Sequence, residues 1–291
     1  MSTLEKGYGA ISQKDEDQLF ETAISSDSEI PNDDDQQQQP ISLFRQMVAE
    51  CIGTCILVQV GGASLCAATY MGVFDGLWQV AILWGLGLTI AIAATASLSG
   101  AHLNPAVTLS FGLIRCDSFS IVKVIPYWIA QLVGAAIAGF INLTIFETSI
   151  MKYELTNDIV RGAESSLKSA SSFGDYYMLS PYVPSWNYAL FIEAFGTAFL
   201  VFVIFAVTHP KNDAIASTTV PFVIGAALAV LIGTLGPLTG ASLNPARDLG
   251  PRLITYFYGW GPVSLRGMVI YIVGPLIGGP IGAILADGIL Y

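Results

Sequence analysis

Two tripeptides, Asn104-Pro105-Ala106 and Asn244-Pro245-Ala246, stand 140 positions apart inside near-identical decapeptides, SGAHLNPAVT (99–108) and TGASLNPARD (239–248). Asn is among the strongest N-cap residues, and Pro suits the first helical position, where its missing N–H is not needed. Each tripeptide is therefore predicted to start a helix. The Asn side-chain oxygen accepts from the backbone, which leaves its NH2 free to donate. Such a pair points to recognition rather than bond-making: two amide donors waiting for an oxygen. After the second copy comes Arg247, where the first has Val107. A guanidinium stays charged and carries five donors, so it holds hydroxyls and repels cations. The alternative is a structural pair with Asp248, although adjacent helical side chains need not face each other.

The residues ahead of each cap are small or apolar: Gly100, Ala101, His102 and Leu103 in one copy, Thr239, Gly240, Ala241, Ser242 and Leu243 in the other. They can run extended and present carbonyls to a water-filled path. Glu50 and Glu193 head matched decapeptides, AECIGTCILV (49–58) and IEAFGTAFLV (192–201). Both fall in apolar surroundings, where a carboxylate needs partners. Bracing the irregular segments is the expected role. His102 lacks Cys or carboxylate neighbours, so a pore-lining or packing role is expected and no metal site. Cys51, Cys55, Cys66 and Cys116 have no metal-ligand spacing and are expected as free thiols. With no nucleophile–base pair, metal cluster, cofactor motif or nucleic-acid signature, an enzyme is not expected.

The elements that must position these groups follow from composition. The chain has 291 residues, 53% hydrophobic and 12% charged, with a mean hydropathy of +0.62. A soluble domain carries about 25% charged residues, so a membrane protein is expected. The net charge of −10 misleads. Residues 1–42 hold ten acids against Lys6 and Lys14, a net −8, which leaves −2 for the body. That segment, with Gln36–Gln39 and several serines, is expected to be a disordered tail. SSDSE (25–29) suits phosphorylation and DEDQLF (15–20) loosely suits acidic sorting.

Six stretches are long and apolar enough to cross a bilayer of about 30 Å: 42–66, 78–97, 121–149, 187–208, 218–236 and 264–290. Asn142-Leu143-Thr144 matches a glycosylation pattern but lies inside a span. Two shorter stretches, 105–114 and 245–255, rise only about 15 Å and are predicted as re-entrant half-helices. The membrane domain, 43–290, is thus two repeats, 43–150 and 187–290, joined by a connection over 150–186. Three crossings per repeat is odd, so the second repeat is inverted, and interrupted helices of inverted repeats meet near the midplane. Two helix N-termini would then point at one place, each worth about half a positive charge, and oppose cations and protons. Gly134, Gly139, Gly274, Gly278 and Gly282 are expected at close helix contacts.

On these motifs the chain resembles the major intrinsic protein family, the aquaporins and aquaglyceroporins, over about 43–290. ILWGLGLTIAI (82–92), DIVRG (158–162), GPLTG (236–240) and NPARDLGPR (244–252) resemble the glycerol-facilitator branch, with Asp248 and Arg252 as a glycerol-type signature and Pro275-Leu276 as a further pair. The resemblance implies an all-α membrane fold of six transmembrane helices and two half-helices. It also implies a passive pore for glycerol, water and other small uncharged solutes such as urea, with protons and ions excluded. The implied outer filter is Trp84, Gly233, Ala241 and Arg247. Trp84 would be the apolar wall, the alternative being an interfacial aromatic. Ala241 stands where bacterial facilitators have an aromatic. It should widen the filter unless a side chain from the 150–186 connection fills the gap. A homotetramer in the lipid bilayer, in a plasma or internal membrane with the N-terminus cytoplasmic, is also implied. Basic residues divide evenly between the two sides and give no orientation signal. The competing readings are an adhesion or scaffold protein with a vestigial pore, resting on the tail and connection, and charge-coupled transport.

Overall fold

The structure, a computed structural model, describes residues 41–291. The expected disordered tail, with its sorting and phosphorylation patterns, lies outside the described residues except for Ile41 and Ser42. From there the chain is helical: α1 (Leu43–Cys66), α2 (Leu77–Ser99), α3 (Pro105–Ile114), α4 (Val124–Thr156), α5 (Trp186–Val207), α6 (Val220–Thr239), α7 (Pro245–Thr255) and α8 (Met268–Leu285). Six of these, with their terminal turns, are long and apolar enough to cross a membrane, while α3 and α7 are the half-length pair. The fold is the expected six spans and two re-entrant half-helices in two inverted repeats, with α1–α4 matching α5–α8.

Side chains are sorted as a bilayer demands. Ile125, Ile129, Phe191 and Phe195 point outward, while Glu50, Glu193, Gln131, Asp248 and Arg252 are fully buried. Helices approach closely where Gly removes a side chain. A Cβ on Gly134 would overlap the Cys51 carbonyl of α1, and one on Gly278 would overlap the Ala194 carbonyl of α5. These are repeat-equivalent seams, α1 with α4 and α5 with α8. The half-helices cross over: α3 packs on α8, and α7 packs on α4. Each repeat therefore clamps the half-helix of the other. At the C-terminal end of α3, Arg115 bonds Asp287 at 2.7 Å and the Phe205 carbonyl at 2.6 Å.

Two boundaries differ from expectation. Helix α4 runs to Thr156, seven residues past the apolar stretch. Its polar last turns extend beyond the apolar stretch, and Glu154 there bonds Arg161 at 2.9 Å and Ser169 at 2.8 Å. The connection is consequently shorter, 157–185, and it is packed. Leu167, Phe173 and Tyr176 cluster with Trp260, and Tyr70 donates to the Ser169 carbonyl at 2.6 Å. Asn142 is buried in α4, where it accepts from Gln59 at 2.6 Å. All four cysteines are free thiols.

Candidate pore and filter

The two caps form as predicted. Asn104 accepts from the Ala106 N–H at 2.8 Å, and Asn244 accepts from Ala246 at 3.0 Å and Arg247 at 3.2 Å. The side-chain NH2 groups are not wholly free, however. Asn104 Nδ2 donates to the Leu243 carbonyl at 2.8 Å, and Asn244 Nδ2 donates to the Leu103 carbonyl, also at 2.8 Å. Each amide uses one N–H to lock the opposite segment and keeps the second for a passing oxygen. This reciprocal pair ties the two half-helix tips together.

The segments before the caps carry the same backbone in both copies. Gly100, Ala101 and Leu103 have φ of 83°, 48° and 53°, and Gly240, Ala241 and Leu243 have 95°, 53° and 55°. Left-handed conformations cost a Cβ-bearing residue energy, so something must hold them. The two carboxylates do. Glu50 accepts from Ser99 Oγ (2.7 Å), His102 N (2.9 Å), Leu103 N (2.7 Å) and Gln131 Nε2 (2.8 Å). Glu193 accepts from Thr239 Oγ1 (2.6 Å), Ser242 N (3.3 Å) and Leu243 N (2.9 Å). With the N–H groups turned to carboxylates, the carbonyls of Gly100, Ala101, His102, Gly240, Ala241 and Ser242 have no protein donor among the described residues. They form a ladder of acceptors. A symmetric pair of tyrosines steadies its ends: Tyr127 donates to the Ser99 carbonyl at 2.9 Å and Tyr271 to the Thr239 carbonyl at 2.8 Å.

A cavity of about 170 Å³ runs past the Gly100, Ala101, His102 and Ser242 members of this ladder, from Thr208, Ser217 and Pro221 at the face where α6 begins to Trp84 and Arg247. Gly100, Ala101, His102, Leu103, Asn104, Ser242, Leu243 and Asn244 line it. Pro105, Ala106, Pro245 and Ala246 are buried and do not; they support the caps from behind. The facing wall consists of two stripes, Trp84, Leu88, Ile92 and Ala96 on α2 and Val220, Ile224, Leu228 and Ile232 on α6, of which sequence reasoning found Trp84 alone. Their i, i+4 spacing is the signal that could have found them. Acceptors and donors thus face an aliphatic wall. His102 joins the lining but stacks on Phe111 with centroids 4.5 Å apart, and its Nδ1 has no protein partner.

One expected filter residue is displaced. Gly233 is exposed on the outside of α6, where an added Cβ would reach only Ala81. Ile232 lines the cavity in its place. One residue along a helix turns about 100°, so the α6 stripe that includes Leu228 selects 232 and excludes 233. The mouth is correspondingly narrower than a Gly would make it. Trp84 is buried against Gly61 and sits in the interior, unlike the exposed Trp78 and Trp186. Ala241 is buried beside the constriction without lining the cavity.

Arg247 does not pair with Asp248. Its guanidinium lies 4.3 Å from the Trp84 ring centre and donates to Asp175, a residue of the connection. Asp248 instead accepts from Arg252 Nε at 2.7 Å and from the Asp175 backbone N–H at 2.8 Å. Arg252 also bonds the Asp175 carbonyl, the Ser264 carbonyl at 2.8 Å and the Arg266 carbonyl at 3.0 Å. The Asp248–Arg252 pair therefore anchors the connection over the cavity mouth. Thr239 and Gly240, expected in the pore, line a separate outer pocket of about 260 Å³ with Asp175.

The caps, braces and crossed half-helices are the architecture that the motifs implied, and sequence comparison agrees. Residues 37–286 match the family Major intrinsic protein. The chain belongs to this family. Its members are channels, and this major intrinsic protein is an integral multi-pass membrane channel rather than an enzyme. It is 38% identical over 252 residues to the glycerol uptake facilitator protein of Haemophilus influenzae, an alignment covering 86% of this chain and 93% of that one. The propanediol uptake facilitator PduF of Citrobacter freundii is 38% identical over 248 residues, covering 83% and 90%. Among solved structures, the aquaglyceroporin from Plasmodium falciparum superimposes with a TM-score of 0.74 at 25% identity, covering 86% of this chain and 97% of that one. This major intrinsic protein thus resembles the branch that its motifs suggested.

Proposed function

We propose that the protein is a passive channel for glycerol and comparable small polyols, also permeable to water and urea, that excludes protons and ions. The observation that carries this reading is the two-faced lining. A polyol has a hydrocarbon edge and a hydroxyl edge. The α2 and α6 stripes suit the first, and the carbonyl ladder, the two asparagine amides and Arg247 suit the second. Relatives named for glycerol and for propanediol uptake support the same solute class. Ion exclusion rests on the α3 and α7 N-termini, which meet through the Asn104 and Asn244 cross-bonds and offer positive ends to the lumen. By resemblance the protein is a homotetramer with one pore per subunit and a cytoplasmic N-terminus.

The test is stopped-flow light scattering on proteoliposomes under a glycerol gradient, with membrane current recorded in parallel. Rapid reswelling without proton or cation current is expected. Vesicles as tight to glycerol as protein-free ones overturn the reading.

A further inference from the structure

The outer mouth holds a group that the filter motif does not contain. Asp175 comes from the connection, 72 residues before Arg247, and its carboxylate accepts from the Arg247 guanidinium. It is buried, and its position is imposed from both sides of its backbone. Its N–H is held by Asp248 and its carbonyl by Arg252. Its carboxylate also packs onto Gly240, where an added Cβ would overlap it, next to the small Ala241. The central cavity ends at Arg247 and the outer pocket begins at Asp175, and the two share no lining residue. The ion pair is the partition between them.

Resting on the channel reading above, we propose that Asp175 is a specificity-determining residue of the outer filter, filling the space that Ala241 leaves and occupying a donor of Arg247 that would otherwise face the solute. Two physical consequences follow. Bulk at the mouth limits the width of the solute. A carboxylate on the guanidinium cancels its charge and competes with solute hydroxyls for its donors, since charge-assisted hydrogen bonds outlast neutral ones. Selectivity then depends on a clamp between the connection and α7, and the Asp248–Arg252 pair acts as its positioning element.

The test compares wild type, Asp175→Ala and Asp175→Asn as full-length protein in proteoliposomes. Fluxes of water, glycerol and the five-carbon polyol xylitol are read on the same vesicles, so that flux ratios do not depend on how much protein is incorporated. Asp175→Ala removes bulk, and the xylitol-to-glycerol ratio should rise about threefold or more. Asp175→Asn keeps the volume but removes the charge, leaving Arg247 a weaker, neutral acceptor that solute hydroxyls displace more readily. The glycerol-to-water ratio should rise by about the same factor, because glycerol leaves more hydrogen bonds behind in water and gains more from a freed donor. Either ratio staying at or falling below the wild-type value in its variant overturns the assignment while leaving the channel intact. Wild-type vesicles tight to glycerol would instead overturn the channel reading, and this inference with it.

Discussion

At the scale of residues, four side chains from separate parts of the chain meet at the mouth: Trp84, Ile232 and Arg247, with Asp175 laid against the last. Ile232 supplies aliphatic bulk where Gly was expected. Ile232→Ala should raise xylitol flux relative to glycerol about threefold, a modest change because a few methylenes in an apolar pocket discriminate weakly. Stopped-flow ratios check it. Arg247→Ala should do more than remove a positive charge, since it leaves the Asp175 carboxylate alone at the mouth. Opposite unit charges about 4 Å apart interact by roughly 4 kcal/mol at an effective dielectric of 20, so cation conductance should rise at least about tenfold. Adding Asp175→Asn should remove most of that rise, and a double-mutant cycle on vesicle conductance measures the coupling. Burial pushes the Asp175 carboxyl up to about 6, against the pull of Arg247 and Arg252. Asp248 and Arg252 of α7, Tyr176 of the connection, Glu193 of α5 and Tyr271 of α8 also face it. An acid with a raised value is ionised above it and protonated below. The wild-type glycerol-to-water ratio should therefore move toward that of Asp175→Asn as pH falls from about 7.5 to about 5. The Asn variant should stay flat over the same range.

At the scale of elements, the notable arrangement is exchange. Half-helix α3 rests on α8 and α7 on α4, so neither repeat completes its own re-entrant segment. The carboxylates of α1 and α5 then hold the N–H groups of His102, Leu103, Ser242 and Leu243 in the two irregular segments, which no helix can satisfy. Glu193→Ala would orphan the Ser242 and Leu243 N–H groups and the Thr239 hydroxyl in a dry interior. At about 1–3 kcal/mol for each unsatisfied group, a fall in melting temperature of roughly 6 °C or more is expected, measured by thermal scanning in detergent. Glu193→Gln keeps an acceptor oxygen and should lose less. The connection belongs to this scale too. A scaffold protein with a vestigial pore would carry it as a free surface, whereas here Phe173 and Tyr176 are buried and Asp175 is committed to Arg247.

At the scale of the molecule, each of the six long helices exposes large apolar side chains, among them Ile52, Ile90, Ile129, Phe195, Val230 and Ile277. Lipid covers part of such a surface. Association of four copies would cover more of these aliphatic faces. Mass measurement of the detergent-solubilised protein should give four times the 30.9 kDa chain, and cross-linking should stop at the tetramer. The central cavity lies wholly inside one chain, so a monomeric variant should still conduct glycerol.

What the sequence determined by itself was whatever local chemistry dictates. Asn-Pro at a helix start, a span of some twenty apolar residues and an acid in an apolar helix each have few physical solutions, so caps, crossings and braces were legible without a fold. The odd number of crossings even imposed the inversion. Only the tertiary structure decided the filter's membership. Whether 232 or 233 faces the lumen depends on how α6 is rotated against α2, and a shift of one residue exchanges lumen for lipid. The free amide donors proved half engaged because each cap meets a carbonyl about 140 residues away. Asp175 was invisible for the same reason: nothing near it in the chain marks it as a filter residue. It becomes one because Asp248 and Arg252, more than seventy positions later, fold the connection back onto the mouth.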